Sequence, residues 1–260
     1  MEAVMTIAGC DPSGGAGIAA DIKTFSALNV HPTCVATNIT AQNEDKFFSS
    51  VPVDAKMVTA QIKAILDFHT IKAVKIGMIY TKENLKAISK SLTKHQLKNV
   101  VLDPIMLSST GEKFTEYTEA MFKKELLPHV SVITPNVQEA EKLTGKTIMR
   151  TVDMQEMALE LASFGCENVV ITGFDDGKHY VDMFYDGENF RDFKMKKLKM
   201  PDLHGTGCTF SSAVAAFLAL GRNLNMAVRE AKEFTFNAIK HAHKLNDDKL
   251  VLNHFFLSGK

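Results

Sequence analysis

Leu203-His204-Gly205-Thr206-Gly207-Cys208-Thr209 sets two glycines, two hydroxyls and a thiol immediately before the apolar run Phe210–Leu220. If that run is a helix, the turn before it presents backbone N–H groups without intrahelical partners at the positive end of the helix dipole. Such a turn is a cradle for an anion. Phosphoryl transfer needs donors of this kind around the charge spreading over the moving group, and a hydroxyl nucleophile also needs a positioned proton acceptor. Cys208 stands in the first helical turn, where thiol pKa values fall and a thiolate becomes accessible. Its plain alternative is a small buried residue, the usual fate of a free cysteine; the glycines before it favour the chemical role.

A second glycine-rich stretch, Gly9-Cys10-Asp11-Pro12-Ser13-Gly14-Gly15-Ala16-Gly17, follows an apolar run and precedes a helical pattern. Glycines there let backbone N–H groups approach a ligand closely. A Walker A loop fails, because Gly15 stands where its lysine belongs. Gly15-Ala16-Gly17-Ile18-Ala19-Ala20 matches the dinucleotide fingerprint, but the next strand runs into Thr40-Ala41-Gln42-Asn43 without an acidic residue at its tip, Glu44 lying just beyond. An ordinary strand-to-helix turn with no ligand is the third reading.

Thr134-Pro135-Asn136-Val137-Gln138-Glu139 is first of all a capping signal, Asn136 before a helix and Glu139 in its first turn. The chemical alternative has Glu139 orienting water around Mg2+ with Asn136 near phosphates, since Mg2+ keeps several waters and takes few carboxylates. Asp103, closing Val101-Leu102-Asp103, is either a second carboxylate for that ion or a residue that caps the turn.

These residues need elements to hold them. Near-continuous apolar runs predict strands at Val4–Gly9, Thr33–Thr40, Ala73–Gly77, Asn99–Asp103, Val130–Thr134 and Asn168–Thr172. Helical spacing recurs between them at Ile18–Asn29, Asp54–His69, Thr81–His95, Val137–Leu143 and Asp153–Phe164. The alternation predicts one α/β domain over residues 1–260, a mostly parallel sheet with helices on both faces. Tyr180–Tyr185 and Phe190–Leu198 around Asp186-Gly187-Glu188-Asn189 read as a hairpin, and Thr206–Leu220 and Met226–Leu245 as two closing helices. In such sheets ligands bind beyond the carboxyl ends of the strands, where the segments above fall.

Thirty basic and thirty acidic residues cancel, so no global field recruits nucleic acid or an anionic membrane. The interleaved run Lys194-Met195-Lys196-Lys197-Leu198-Lys199 reads as a lysine-protected edge strand. Four widely spaced cysteines argue against a zinc ribbon or a disulfide framework. Met1–Met5 lacks the regions of a signal peptide and no apolar run approaches a membrane span, so a soluble cytoplasmic protein is expected. His241 and His243, about 200° apart on a helix, are poorly placed for one metal and read as surface.

Taken in order, Thr6–Ile18, Asp21-Ile22-Lys23-Thr24-Phe25, Lys75-Ile76-Gly77-Met78, Val101–Met106, Thr134-Pro135-Asn136 and His204–Thr209 resemble the hydroxymethylpyrimidine/phosphomethylpyrimidine kinases of thiamine biosynthesis over nearly the whole chain. The resemblance implies a ribokinase-like fold, ATP and Mg2+, and a homodimer. It implies a pyrimidine pocket of Gly9, Ala16, Asp21, Thr40, Gln42 and Met78, an anion hole of Gly205, Thr206 and Gly207, and Cys208 as proton acceptor. ATP would lie near Asn136 and Thr172, with Asp103 and Glu139 as the candidate metal residues. The Gln42 amide can answer a ring nitrogen and an adjacent amino group together. One departure stands out: many members carry lysine where this chain has Thr172. Some similar pyridoxal kinases also have threonine there, which makes pyridoxal the rival substrate. A nicotinamide-dependent oxidoreductase and a non-catalytic pyrimidine sensor are the alternatives from other classes.

Overall fold

The computed structural model describes residues 1–43, 46–105, 115–201, 203–245 and 249–256; Glu44 and Met106 lie outside them. In chain order the main elements are β1 Ala3–Cys10, α1 Gly17–Ala27, β2 His31–Gln42, β3 Phe47–Pro52, α2 Ala55–Leu66, β4 Ile71–Ile76, α3 Lys82–Lys94, β5 Val100–Leu102 and α4 Glu119–Leu126. They continue with β6 Val132–Ile133, α5 Val137–Thr144, α6 Thr151–Ala162, β7 Val169–Asp175, β8 His179–Tyr185, β9 Phe190–Lys196, α7 Thr206–Ala219 and α8 Leu224–Lys240. A short antiparallel pair, β10 His243–Lys244 and β11 Leu250–Val251, follows.

Among the described residues nine strands form one sheet in the order β3-β2-β1-β4-β5-β6-β7-β8-β9. The stretch from β2 to β7 is parallel, and β3, β8 and β9 are antiparallel additions at its two edges. The strand period of two sorts neighbours onto opposite faces. Met5, Val74, Val100, Ile133 and Val169 join one core with α2 to α6. Val4, Ala73, Val101, Val132 and Val170 join the other, under residues of α1, α7 and α8. Burial on both sides is why these strands read as continuous apolar runs.

The expected strands and the β8–β9 hairpin are present, and α1 to α3 and α5 to α7 lie within a few residues of their expected bounds. α8 differs. It ends at Lys240, with His241 as its C-cap, so His243 belongs to β10 and the two histidines do not share a helix.

The chain runs from β1 outward to β2, then crosses back to place β4 on the other side of β1. That reversal opens a crevice at the carboxyl ends of β1 and β4, the usual ligand position in such a sheet.

Candidate functional site

Gly9, Thr40, Gln42 and Met78 lie at the carboxyl ends of the adjacent strands β1, β2 and β4. The Thr40 hydroxyl donates to the Cys10 carbonyl at 2.9 Å, tying the ends of β2 and β1 together. The Met78 sulfur accepts from the Asn38 amide at 3.5 Å, and Asn38 packs so closely on Gly9 that a Cβ there would stand 2.7 Å from its oxygen. Gln42 is half-buried at the tip of β2. Ala16 is the N-cap of α1, its N–H held by Asp11 at 2.8 Å.

Asp21 is placed differently from these five. Its carboxylate is wholly buried and accepts from Thr6 at 2.5 Å, Ser212 at 2.6 Å and Lys75 at 2.9 and 3.1 Å. The Asp21 carboxylate is thus enclosed by Thr6, Ser212 and Lys75, with 0% of its side chain exposed.

Lys75 is the residue that this network exists to hold. It follows the β4 alternation onto the face covered by α1 and α7, where its side chain is 0% exposed. A charge so placed needs partners. Asp21 supplies two contacts and Asp103 Oδ2 a third at 3.7 Å. Burial opposes the charged amine, but Asp21, Cys208 and Asp103 outweigh it and hold the Lys75 pKa above its ordinary value. The clue in the sequence was Lys75 within the run Ala73–Gly77, whose other residues are apolar or glycine, so that its charge had to be paired.

α7 begins at Gly205, whose φ of 85° is left-handed and whose missing Cβ leaves room for the Gly15 carbonyl oxygen. Thr206 turns its hydroxyl back onto the Leu203 carbonyl at 2.8 Å. Cys208 is buried in that first turn, with Lys75, Asp103 and the Gly17 backbone among the groups that act on its thiol. From behind, the buried His254 ring shares a 3.0 Å hydrogen bond with the Thr209 hydroxyl, so the C-terminal segment braces the first turn of α7. The expected fall in the Cys208 pKa is not seen. Burial pushes the thiol up, and Lys75 recovers only part of the shift while Asp103 and Asp21 add to it. A helix N-terminus lowers a thiol pKa where the thiolate keeps solvent or a dominant cation, and here it keeps neither.

On the other side of that turn a cleft of about 440 Å³ opens over the C-terminal half, lined by Asn136, Thr172, Thr206 and Gly207 together with residues of β8, β9 and α8. Its walls are largely apolar, with Tyr180, Met195, Leu198, Phe210 and Ile239 among them. Thr172 and Asn136 meet in an isolated parallel bridge, the Thr172 N–H donating to Pro135 at 2.9 Å. The cationic groups in the cleft wall are Lys196, exposed at the end of β9, and Lys232 of α8. Lys232 is buried against Asp182 at 2.8 Å, and Asp182 also holds the Gly173 N–H at 2.9 Å. These two lysines stand where sequence reasoning left Thr172 without a positive neighbour.

Asn136 and Glu139 form a reciprocal capping box, each accepting the other's backbone N–H at 2.9 Å. The capping reading is thus realised. Asp103 accepts from Ser211 at 3.0 Å and is raised above its ordinary pKa, burial outweighing Lys75. Burial first, and the Asp103 charge second, push Glu139 up to about 8. Two carboxylates that repel each other beside a helix N-terminus are a donor set a hard divalent cation would relieve. Among the described residues no group of three or more histidine, cysteine or acidic side chains is arranged around a metal position.

A family profile described as Phosphomethylpyrimidine kinase matches residues 11–253. The chain belongs to this family. It is 40% identical over 253 residues to the pyridoxine kinase of Bacillus subtilis, covering 95% of this chain and 93% of that one. It is 37% identical over 243 residues to the hydroxymethylpyrimidine/phosphomethylpyrimidine kinase of Aquifex aeolicus, covering 93% and 95%. Among solved structures, an ADP complex of Bacillus subtilis pyridoxal kinase is similar at a TM-score of 0.89 and 36% identity, covering 99% of each chain. The protein is accordingly a phosphotransferase with the ribokinase-like fold.

Proposed function

We propose that this protein transfers the γ-phosphoryl group of ATP to a hydroxymethylpyrimidine and/or its monophosphate, toward the pyrophosphate used in thiamine biosynthesis. One observation carries the reading: Thr206 and Gly207 stand in the wall of the cleft while Cys208, one residue on, is buried off that wall in the turn that packs on Gly15. A nucleotide in the cleft and an acceptor at the ends of β1, β2 and β4 would meet at that turn.

The Gly205 and Gly207 N–H groups would face the developing phosphoryl charge, the role that preorganised donors serve best, and the Thr206 N–H would join them by leaving its 3.4 Å bond to the Leu203 carbonyl. Asn136 and Thr172 lie along the nucleotide, and Lys196 supplies positive charge from β9. Asp103 and Glu139 would hold Mg2+, which neutralises phosphate charge when bound. Cys208 accepts the hydroxyl proton in its thiolate form, having first lost its own proton to solvent. Gly9, Ala16, Thr40 and Met78 shape the acceptor pocket, Asp21 stays enclosed among its partners, and the Gln42 amide answers a ring nitrogen and amino group together.

Pyridoxal is the second reading, favoured by Thr172 and by the pyridoxine kinase relative. The test is ADP release with Mg-ATP over hydroxymethylpyrimidine, its monophosphate and pyridoxal. Preferential turnover of the pyrimidines, with Gln42→Met losing about tenfold in kcat/KM on them, supports the reading, one lost polar pair being worth about 1.4 kcal/mol. Preference for pyridoxal discards the pyrimidine and keeps the kinase. We also propose that the protein works as a homodimer, supported by exposed Ile39, Phe48 and Val51 on β2 and β3.

A further inference from the structure

The segments 11–16 and 203–208 are far apart in the chain, Asp11 and His204 being 193 residues apart, yet they touch at three points. Asp11 meets His204, Gly15 meets Gly205, and Gly15 also meets the His204 ring. We infer that the Asp11–His204 pair is a positioning device that fixes the distance between the acceptor pocket and the phosphate-binding turn, so that its loss uncouples ATP consumption from transfer. The inference rests on the functional reading above.

Asp11 shapes the acceptor-side loop before it reaches across. Its carboxylate accepts from the Ser13 N–H at 2.9 Å, the Ser13 hydroxyl at 2.9 Å and the Ala16 N–H at 2.8 Å. The same Oδ2 that holds Ala16 lies 3.0 Å from His204 Nε2. Burial alone would raise this carboxyl, but the bonds from His204, Ser13 and Ala16 hold it below its ordinary value. An ionised carboxylate only accepts, so His204 donates through Nε2–H. One oxygen thus fixes the N-cap of α1, a wall of the acceptor pocket, and the residue directly before the anion-binding turn.

Backbone contacts back up the pair. A Cβ on Gly205 would overlap the Gly15 carbonyl oxygen, and one on Gly15 would stand 2.8 Å from His204 Cδ2. The Asp11–His204 contact is the side-chain-to-side-chain member of the three, so it can be altered without changing the backbone.

Magnitudes separate positioning from simple stability. The His204 side chain is 31% exposed, against 2% for Asp11. Asp11 is almost wholly buried, but without His204 it keeps its bonds from Ser13 and Ala16, so loss of the pair removes one of its contacts and not its anchorage. Displacement of a reacting group by about 1 Å, by contrast, costs roughly 100-fold in rate. A tie between the two substrates' subsites therefore matters through geometry more than through stability.

The experiment compares wild type, His204→Ala and His204→Gln, whose amide nitrogen reaches roughly where Nε2 stands. The acceptor is whichever of hydroxymethylpyrimidine, its monophosphate and pyridoxal the wild type turns over, and the readouts are kcat, both KM values, ADP formed per acceptor phosphorylated, and Tm. The expected alanine variant keeps its KM for ATP within about twofold, loses about 10- to 100-fold in kcat and releases ADP in excess of product. Glutamine recovers most of the rate and restores the one-to-one ratio. Four results overturn the inference: alanine with wild-type kcat and coupling, a loss confined to KM, glutamine no better than alanine, or a loss that tracks the fall in Tm. A wild type silent on all three acceptors overturns the functional reading itself, and the inference with it.

Discussion

At the scale of single residues, Cys208 and Glu139 are both acids that burial has weakened. A raised thiol keeps its proton at neutral pH, so base catalysis by Cys208 makes transfer to a hydroxymethyl group climb from about pH 7 to about pH 9. A phosphate acceptor is already largely ionised and needs no such help. Cys208→Ala is therefore expected to cost at least about tenfold more on the hydroxymethyl acceptor and to flatten its pH profile; equal losses on both acceptors would remove the base role. For Glu139 the sign follows from proton binding. Between its ordinary 4.5 and about 8 the native protein holds a proton that the unfolded chain has lost, so stability falls as pH rises through that window. Glu139→Gln keeps an amide oxygen for the Asn136 N–H and loses the charge. It should flatten the stability curve from about pH 5 to about pH 8 and shrink the Tm gain from Mg2+ at the upper end. Parallel urea-denaturation curves for the two proteins would refute this. Cys208 and Glu139 stood out in the sequence because they follow glycine- and proline-marked turns, and Gln42 because of the family resemblance. Asp11, His204 and Lys75 were in view without a role, because partners 193 residues apart or on a neighbouring face declare themselves only once the strands are ordered.

At the scale of elements, strands buried on both faces were legible because no polar residue interrupts their apolar runs for long. β3 was not. Phe47–Pro52 is an edge strand with two serines and a closing proline, mostly solvent-facing, and carries no two-residue period. α4 escaped for a related reason: its eight residues hold two lysines and two glutamates and bury only Phe122 and Leu126. The α7 turn shows how an element's start is set by packing more than by its own capping residues. Gly205 has no side-chain cap; its left-handed backbone and its contact with Gly15 determine where the helix opens. Gly205→Ala asks a Cβ to occupy the position of the Gly15 oxygen. Overpacking of that kind costs about 1–3 kcal/mol, and the positive φ adds about 1 kcal/mol. Lower stability by urea denaturation, with activity reduced further than stability accounts for, is the expected outcome. A wild-type variant in both respects would mean the turn yields without consequence.

At the scale of the molecule, the sheet has two antiparallel edges that are finished differently. β9 carries Arg191, Lys194 and Lys196 along its length, charges that discourage another strand from pairing with it. β3 carries no such guard. Ile39 and Val51 are cross-strand partners and so project from the same face, 60% and 66% exposed, with Phe48 nearby at 59%. Neighbouring apolar side chains left open at an unguarded edge form a surface that water does not favour. With no net charge, two copies meet without long-range repulsion. The homodimer proposed above should therefore use the β2–β3 edge. Sedimentation equilibrium is expected to give twice the chain mass for the wild type and the single mass for Val51→Lys combined with Ile39→Lys. Both positions are solvent-facing, so the double variant keeps its fold, and circular dichroism checks that it does. A monomeric wild type would remove the dimer, and a double variant that stays dimeric would move the interface away from this edge. Because Gln42 ends the same strand that carries Ile39, a change in acceptor KM on dissociation would further show that the pocket depends on the pairing of that edge.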